Sequence, residues 1–286
     1  MVLHVVHSVA DARQASGQLP RPLGLVPTMG YLHEGHLSLV RAARRENASV
    51  VVSIFVNPAQ FGPTEDFARY PRDFERDAQL LDAEGVDLVF APEVEEMYPE
   101  GHQTFVVPGR VAEGLEGAAR PGHFRGVDTV VLKLFNILQP ARAYFGRKDA
   151  QQLATLRKMV ADLNVPVEVR ALPTVREADG LALSSRNVYL SAEERPAALV
   201  LSRALAAAQR RFRAGERRAE TLREAMRQVL AAEPLASPDY VSVAGGDSLD
   251  ERETADEGDV ASLAVRIGRT RLIDNVILQT AREADE

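Results

Sequence analysis

Two histidines, His33 and His36, lie three residues apart in the stretch Pro27-Thr28-Met29-Gly30-Tyr31-Leu32-His33-Glu34-Gly35-His36. At that spacing two rings on a helical turn share one face, so they can address the same ligand. The apolar residues 23–26 before the stretch read as a buried strand. After it, Leu37, Leu39, Val40, Ala42 and Ala43 recur at helical spacing. The stretch is therefore a strand-to-helix turn. A helix start offers free N–H groups and partial positive charge, which suit a phosphate, and Gly30 and Gly35 let the backbone come close to it. Two other readings stand beside this one. A zinc-protease pair needs histidines four apart with a glutamate next to the first, whereas here the spacing is three and Gly35 intervenes. A glycine turn carrying two surface histidines is the structural alternative.

Four further stretches carry chemistry-bearing side chains. Asn57-Pro58-Ala59-Gln60-Phe61-Gly62-Pro63 leaves the end of an apolar β-branched run. Most of it is turn chemistry, but the Gln60 amide can both donate and accept. Gly146-Arg147-Lys148-Asp149 is a second strand–glycine–helix turn. Lys148 is a mobile point charge suited to phosphate oxygens, and Gln152 follows one helical turn later. A capped helix with a surface lysine is the plain alternative. Ser184-Ser185-Arg186 offers two hydroxyls and a guanidinium, a set that suits a polyphosphate and equally serves as a helix-start signal. In the glycine-rich loop 101–126, Arg120 is either a carboxylate holder or a loop arginine in water.

The elements that must position these groups alternate. Strands at 2–6, 23–26, 49–56, 86–90, 141–145 and 167–171 are interleaved with helical patterns, among them 72–84, 127–138 and 150–163. The run 50–56 is continuously apolar apart from Ser53, as in a strand buried on both faces of a parallel sheet. Strand–helix alternation with right-handed crossovers gives a doubly wound, Rossmann-like α/β domain whose ligands sit beyond the strands' carboxyl ends. From residue 191 the composition shifts to two Ala/Arg/Leu-rich helices broken at Gly215. Strands at 240–244, 262–267 and 272–278 follow, and imply a smaller C-terminal α+β domain. The boundary is expected at 174/175, giving domains 1–174 and 175–286. Asp73, Glu75 and Asp77 read as a solvated helix face.

The ordered set of segments resembles the HxGH nucleotidylyl-transferase superfamily, and within it the pantothenate synthetase family (pantoate–β-alanine ligase, AMP-forming). The resemblance runs nearly end to end. It implies catalytic roles for His33, His36 and Lys148. It implies an ATP site at Pro27, Met29, Gly30, His33, Gly35, His36, Gly146, Lys148, Asp149, Val175, Leu183, Ser184, Ser185 and Arg186. Pantoate and β-alanine would meet Gln60, Gln152, Asn57 and Arg120. The chain departs from the family pattern at Arg147, where glutamate is usual, and at Leu183, where methionine is commoner. The same resemblance implies ATP with Mg2+ as substrate, no tightly bound organic cofactor, a homodimer through the first domain, and a second domain acting as a lid. No protein ligand to the metal is assigned, because the segment near Asp73 differs in residue type from family members that place one there.

Composition narrows the alternatives. The net charge of −7, from 34 basic and 41 acidic residues without a basic stripe, argues against a nucleic-acid partner. With no cysteine, disulfides, thiolate metal sites and thioester intermediates are excluded. The longest apolar run is far too short for a bilayer, and residues 1–9 lack the basic start of a signal peptide, so a cytoplasmic protein is expected. Two other functions remain for comparison: a transferase joining a nucleotide to a phosphate ester, and a non-catalytic nucleotide-binding regulator.

Overall fold

The structure, a computed structural model, describes residues 3–63 and 65–280. Strands β1 (His4–Val6), β2 (Leu23–Thr28), β3 (Ser49–Ile54), β4 (Leu88–Phe90), β5 (Arg142–Gly146) and β6 (Glu168–Leu172) form one parallel sheet. Between and after them run α1 (Val9–Gln18), α2 (Glu34–Glu46), α3 (Phe74–Ala83), the short α4 (Val94–Met97) and α5 (Leu115–Ala119), α6 (His123–Leu138) and α7 (Ala150–Asp162). The sheet order is β1-β4-β3-β2-β5-β6. From β2 the chain winds outward through β3, and from β5 it winds the other way to β6. The switch point thus lies between β2 and β5, where Gly24 pairs with Arg142 and Leu25 with Ala143. Crevices at such points are where open α/β sheets bind ligands.

The expected doubly wound sheet is present, and its centre is buried as the β-branched run predicts. Val50, Val51 and Val52 of β3 have no exposure, nor do Leu25 and Val26 of β2. Ser8 caps α1 by accepting from Asp11 N at 3.0 Å. Contacts divide the chain into two compact units. The first holds residues up to Arg147 together with Thr155–Val175, and the second holds Lys148–Ala154 and the chain from Arg176.

The second unit is a small α+β body. The short α8 (Glu194–Ala197), α9 (Val200–Arg213) and α10 (Ala219–Ala231) precede an antiparallel sheet β7-β8-β9 of Ala236–Ala244, Val260–Ile267 and Thr270–Ile277. Leu201, Leu205 and Phe212 of α9 and Leu222, Met226 and Leu230 of α10 share one core with Leu263, Val265 and Ile267 of β8. Among the described residues no helix is long and apolar enough to cross a membrane.

Candidate active site

The histidine turn is held from below. β2 ends at Thr28, whose hydroxyl donates to Ser53 O at 2.8 Å and accepts from Gly30 N at 3.2 Å. Gly30 then takes φ +81° and Tyr31 φ +51°, the left-handed region where a side chain is strained. A Cβ on Gly30 would also sit 3.1 Å from Asp77 Oδ2 and 3.0 Å from Ile54 Cγ2. Asp77, on α3, is 1% exposed and accepts from Tyr31 N at 2.6 Å and Leu32 N at 2.8 Å. The neighbouring Arg76 donates to Leu32 O at 3.0 Å. The expectation of a solvated face therefore fails at Asp77, which shares the inward phase of α3 with Leu81 four residues on. Burial pushes its carboxyl above the ordinary aspartate range, against the pull of the two backbone N–H groups.

His33 is the N-cap of α2. Its Nδ1 accepts from Gly35 N at 3.1 Å, and His36 Nδ1 accepts from His33 N at 3.3 Å. The two rings stack with centroids 4.1 Å apart. Each Nδ1 therefore acts as acceptor, so in the neutral rings the proton sits on Nε2. The result is a paired set of Nε2–H donors at a helix start. Pro27, Met29, Gly30 and Gly35 supply the backbone of the same turn.

Gln60 closes a short 3-10 turn, Pro58–Gln60, that follows β3. Its Oε1 accepts from Asn57 Nδ2 at 3.0 Å, and its Nε2 lies 3.3 Å from Met29 Sδ on the histidine turn. Sequence reasoning had no means of pairing these two loops. Asn57 is 1% exposed. Its Oδ1 accepts from Ala59 N at 3.2 Å and from Tyr98 OH at 2.9 Å, and its Nδ2 also donates to Gly126 O at 3.1 Å. Burial lifts the Tyr98 hydroxyl to about 12. Gly126, on α6, presses directly on this turn, and a Cβ there would lie 2.2 Å from Ala59 O.

Arg120 is largely covered, its side chain 15% exposed. It pairs with Glu65 at 2.5 and 2.9 Å and donates to His123 Nε2 at 3.0 Å. His123 Nδ1 in turn donates to Gln60 O at 2.8 Å. Burial, then the Arg120 charge, lowers His123 to about 4, so its ring is neutral and the donor–acceptor order is fixed. Tyr98, His123 and Asp77 escaped the sequence reading because each works through another residue. Only the helical phase of Asp77 carried a signal.

The other expected residues fall largely in the second unit. Lys148 is mostly covered, 18% exposed, and its backbone O accepts from Asn275 Nδ2 of β9 at 2.7 Å. Asp149 O accepts from Leu153 N in the first turn of α7. Gln152 is half-buried on that turn. Gly146 is the last residue of β5, and Val175 ends the first unit. Ser184 caps a 3-10 turn, Ser185–Tyr189, accepting from Arg186 N at 3.3 Å, while Leu183 just before it is half-buried. The turn rests on β9, whose Asp274 binds Arg176 at 2.6 and 2.9 Å. Thus the first unit gathers the histidines, Gln60 and Asn57, and the second gathers Lys148, Gln152 and the Ser184 turn.

Against known proteins, residues 2–277 match the family model for pantoate–beta-alanine ligase. The chain belongs to the pantoate–β-alanine ligase family. It is thus an enzyme, a ligase of pantothenate biosynthesis. It is 63% identical over 277 residues to a pantothenate synthetase of Roseiflexus castenholzii, covering 97% of this chain and 100% of that one. A pantothenate synthetase of Chloroflexus aurantiacus is 63% identical over 278 residues, covering 97% and 99%. Among solved structures, a pantothenate synthetase of Thermus thermophilus aligns with a TM-score of 0.92 at 53% identity, covering 96% of this chain and 99% of that one. The pantoate–β-alanine ligase of Francisella tularensis, in a complex described as containing β,γ-ATP and β-alanine, aligns at 0.81 and 33% identity, covering 98% and 99%.

Proposed function

We propose that this chain condenses pantoate with β-alanine through a pantoyl-adenylate intermediate. In the first step a pantoate carboxylate oxygen bonds to the α-phosphorus of ATP, and the bond to the bridging oxygen breaks, releasing pyrophosphate. In the second step the β-alanine amine forms a C–N bond to the acyl carbon. It gives up a proton as AMP leaves with the electron pair of the C–O bond, and pantothenate is produced.

The observation that supports this best is the histidine cap of α2. With both Nδ1 atoms committed to backbone N–H groups, His33 and His36 present donors at a helix start. Phosphoryl transfer asks chiefly for positioning and charge neutralisation. In this reading Lys148, Ser184, Ser185 and Arg186 are further donors to the triphosphate, with Pro27, Met29, Gly30, Gly35, Gly146, Asp149, Val175 and Leu183 shaping the nucleotide site. Gln60 and Gln152 hold the acid, and the polar surroundings of Gln60 disfavour a phosphate-ester acceptor, which would call for basic residues. Among the described residues no group of three His, Asp or Glu side chains is arranged to hold a metal ion. In this reading magnesium arrives with the nucleotide, held mainly by phosphates and water. A water-excluding second domain from residue 175 and a cytoplasmic homodimer through the first domain belong to the same proposal.

Pyrophosphate exchange tests it. Labelled pyrophosphate should enter ATP when pantoate and magnesium are present and β-alanine is absent, and AMP should accumulate only once β-alanine is added. Exchange that ignores pantoate would point to another nucleotidylyl transfer. No exchange at all, or amide formation without exchange, would overturn the two-step route.

A further inference from the structure

The geometry points to Asn57 as a positioning residue that sets which way round the Gln60 amide faces, so that Gln60 turns its donor end to the acid substrate. The inference rests on the reading of Gln60 as a pantoate contact, and it shifts Asn57 from touching substrate to acting through Gln60.

Asn and Gln amides are ambiguous until their neighbours fix them. Here two backbone groups settle Asn57. Ala59 N–H can only donate, so the atom facing it at 3.2 Å is Oδ1. Gly126 O can only accept, so the atom facing it at 3.1 Å is Nδ2. Tyr98 OH fills the second lone pair of Oδ1 at 2.9 Å. The second Nδ2 proton then goes to Gln60 Oε1 at 3.0 Å. An amide has two donors and two acceptor lone pairs, and all four are used. With 1% exposure as well, Asn57 has nothing left for a ligand.

The consequence passes along the chain of bonds. Asn57 Nδ2 takes one lone pair of Gln60 Oε1, so Nε2 is the end turned away from Asn57, and its one hydrogen-bond partner among the described residues is Met29 Sδ at 3.3 Å, a weak acceptor. Turning the Gln60 amide over would set its N–H groups against those of Asn57. Turning Asn57 over as well would set Nδ2 against Ala59 N–H and Oδ1 against Gly126 O. The turn cannot slide away either, because His123 Nδ1 holds Gln60 O at 2.8 Å and Gly126 leaves no gap on the other side. An amide that presents its N–H end donates to carboxylate or hydroxyl oxygens. It refuses an ammonium at the same place, so a hydroxy acid is chosen over the amino acid of the same skeleton.

The test is Gln60→Glu in the full-length enzyme, assayed by pantoate-dependent pyrophosphate exchange, with Gln60→Ala alongside. One glutamate oxygen can keep the bond from Asn57 Nδ2, and the other then presents an acceptor where a donor stood. The KM for pantoate should rise by about tenfold to a hundredfold, with the KM for ATP little changed. Protonating that carboxyl restores a donor, so kcat/KM for pantoate in Gln60→Glu should climb as the pH is lowered, a limb that wild type lacks. Asn57→Asp, which draws Gln60 Nε2 inward, should give the same KM split without that limb. If Gln60→Glu keeps a wild-type pantoate KM while Gln60→Ala does not, the donor polarity is overturned and the pantoate contact survives. If Gln60→Ala also leaves the pantoate KM unchanged, the contact itself is wrong and this inference goes with it. Should Asn57→Asp fail to fold, the acid limb of Gln60→Glu decides alone.

Discussion

The turn before α2 and the turn at Ser184 are both helix starts capped by their own side chains, yet they are held in different ways. The first is fixed by groups out of water: Asp77 beneath Tyr31 and Leu32, and Thr28 beneath Gly30. The second is tied in part by ion pairs, one of them to the buried Asp274. Arg176 binds Asp274, and Arg195, 29% exposed, binds Glu177 at 2.8 Å and Asp179 at 2.9 Å. Buried bonds to backbone N–H groups set a geometry that salt does not reach. Half-exposed pairs are screened and individually weak. The histidine turn is held by buried bonds, whereas the Arg195 pairs behind the Ser184 turn are half-exposed and weak.

The largest expected effect is on the fixed side. His36→Ala should slow exchange by ~10²–10³-fold through loss of one placed donor, with a nearly unchanged melting temperature. Steady-state rates and a thermal melt check both halves, and a large fall in melting temperature would move His36 from chemistry to structure.

Next comes acid. His123 is neutral in the folded protein, near 4 against an ordinary value near 6.5. The unfolded chain therefore binds the proton first, and stability contributed here is intact above about pH 6.5 and lost as the pH falls towards 4. Compared with His123→Asn, which keeps a donor towards Gln60 O, wild type should lose about 1–3 kcal/mol more over that window in urea melts. Equal slopes for the two proteins would break the assignment.

Asp77→Asn should be milder. One carboxylate oxygen is replaced by an amino group facing a backbone N–H, which costs about 1–2 kcal/mol of stability. Relief of the buried charge offsets part of that loss. Turnover should fall more than stability implies, because the histidine turn moves. A variant with unchanged turnover would separate Asp77 from the site.

The smallest effect belongs to the other turn. Arg195→Ala should change stability by less than about 1 kcal/mol, and less still in high salt. A change of several kcal/mol would erase the contrast between the two turns.

The sheet was legible because its centre is apolar on both faces and its loops are punctuated by glycine. β7 was less so. The sequence places its start at residue 240, whereas it begins at Ala236, because Pro238 reads as a breaker and is tolerated on an edge strand at a register shift between Pro238 and Tyr240. α6 starts at His123 rather than 127, since Gly122 at φ +83° closes the preceding loop and opens the helix in one step. In the proposed site, residues with intrinsic chemistry could be picked out by type and spacing, His33, His36 and Lys148 among them. Those acting through a neighbour could not. No spacing rule places Tyr98 beside Asn57 or Arg120 on Glu65, because these pairs are made by the folded sheet and its loops.

The contact at Gly126 bears on how this enzyme could be altered. Where α6 meets the turn at Ala59 and Gln60, backbone touches backbone, with no side chain between them to deform. A shift of the helix is therefore handed on to Gln60 undiminished. Phe124, Val127 and Val130 seat α6 in the core, so they set where Gln60 stands from a distance. A laboratory search for variants that accept a bulkier or smaller acid should collect substitutions at these core positions as readily as at Gln60. Those variants should keep the donor and change only where it stands.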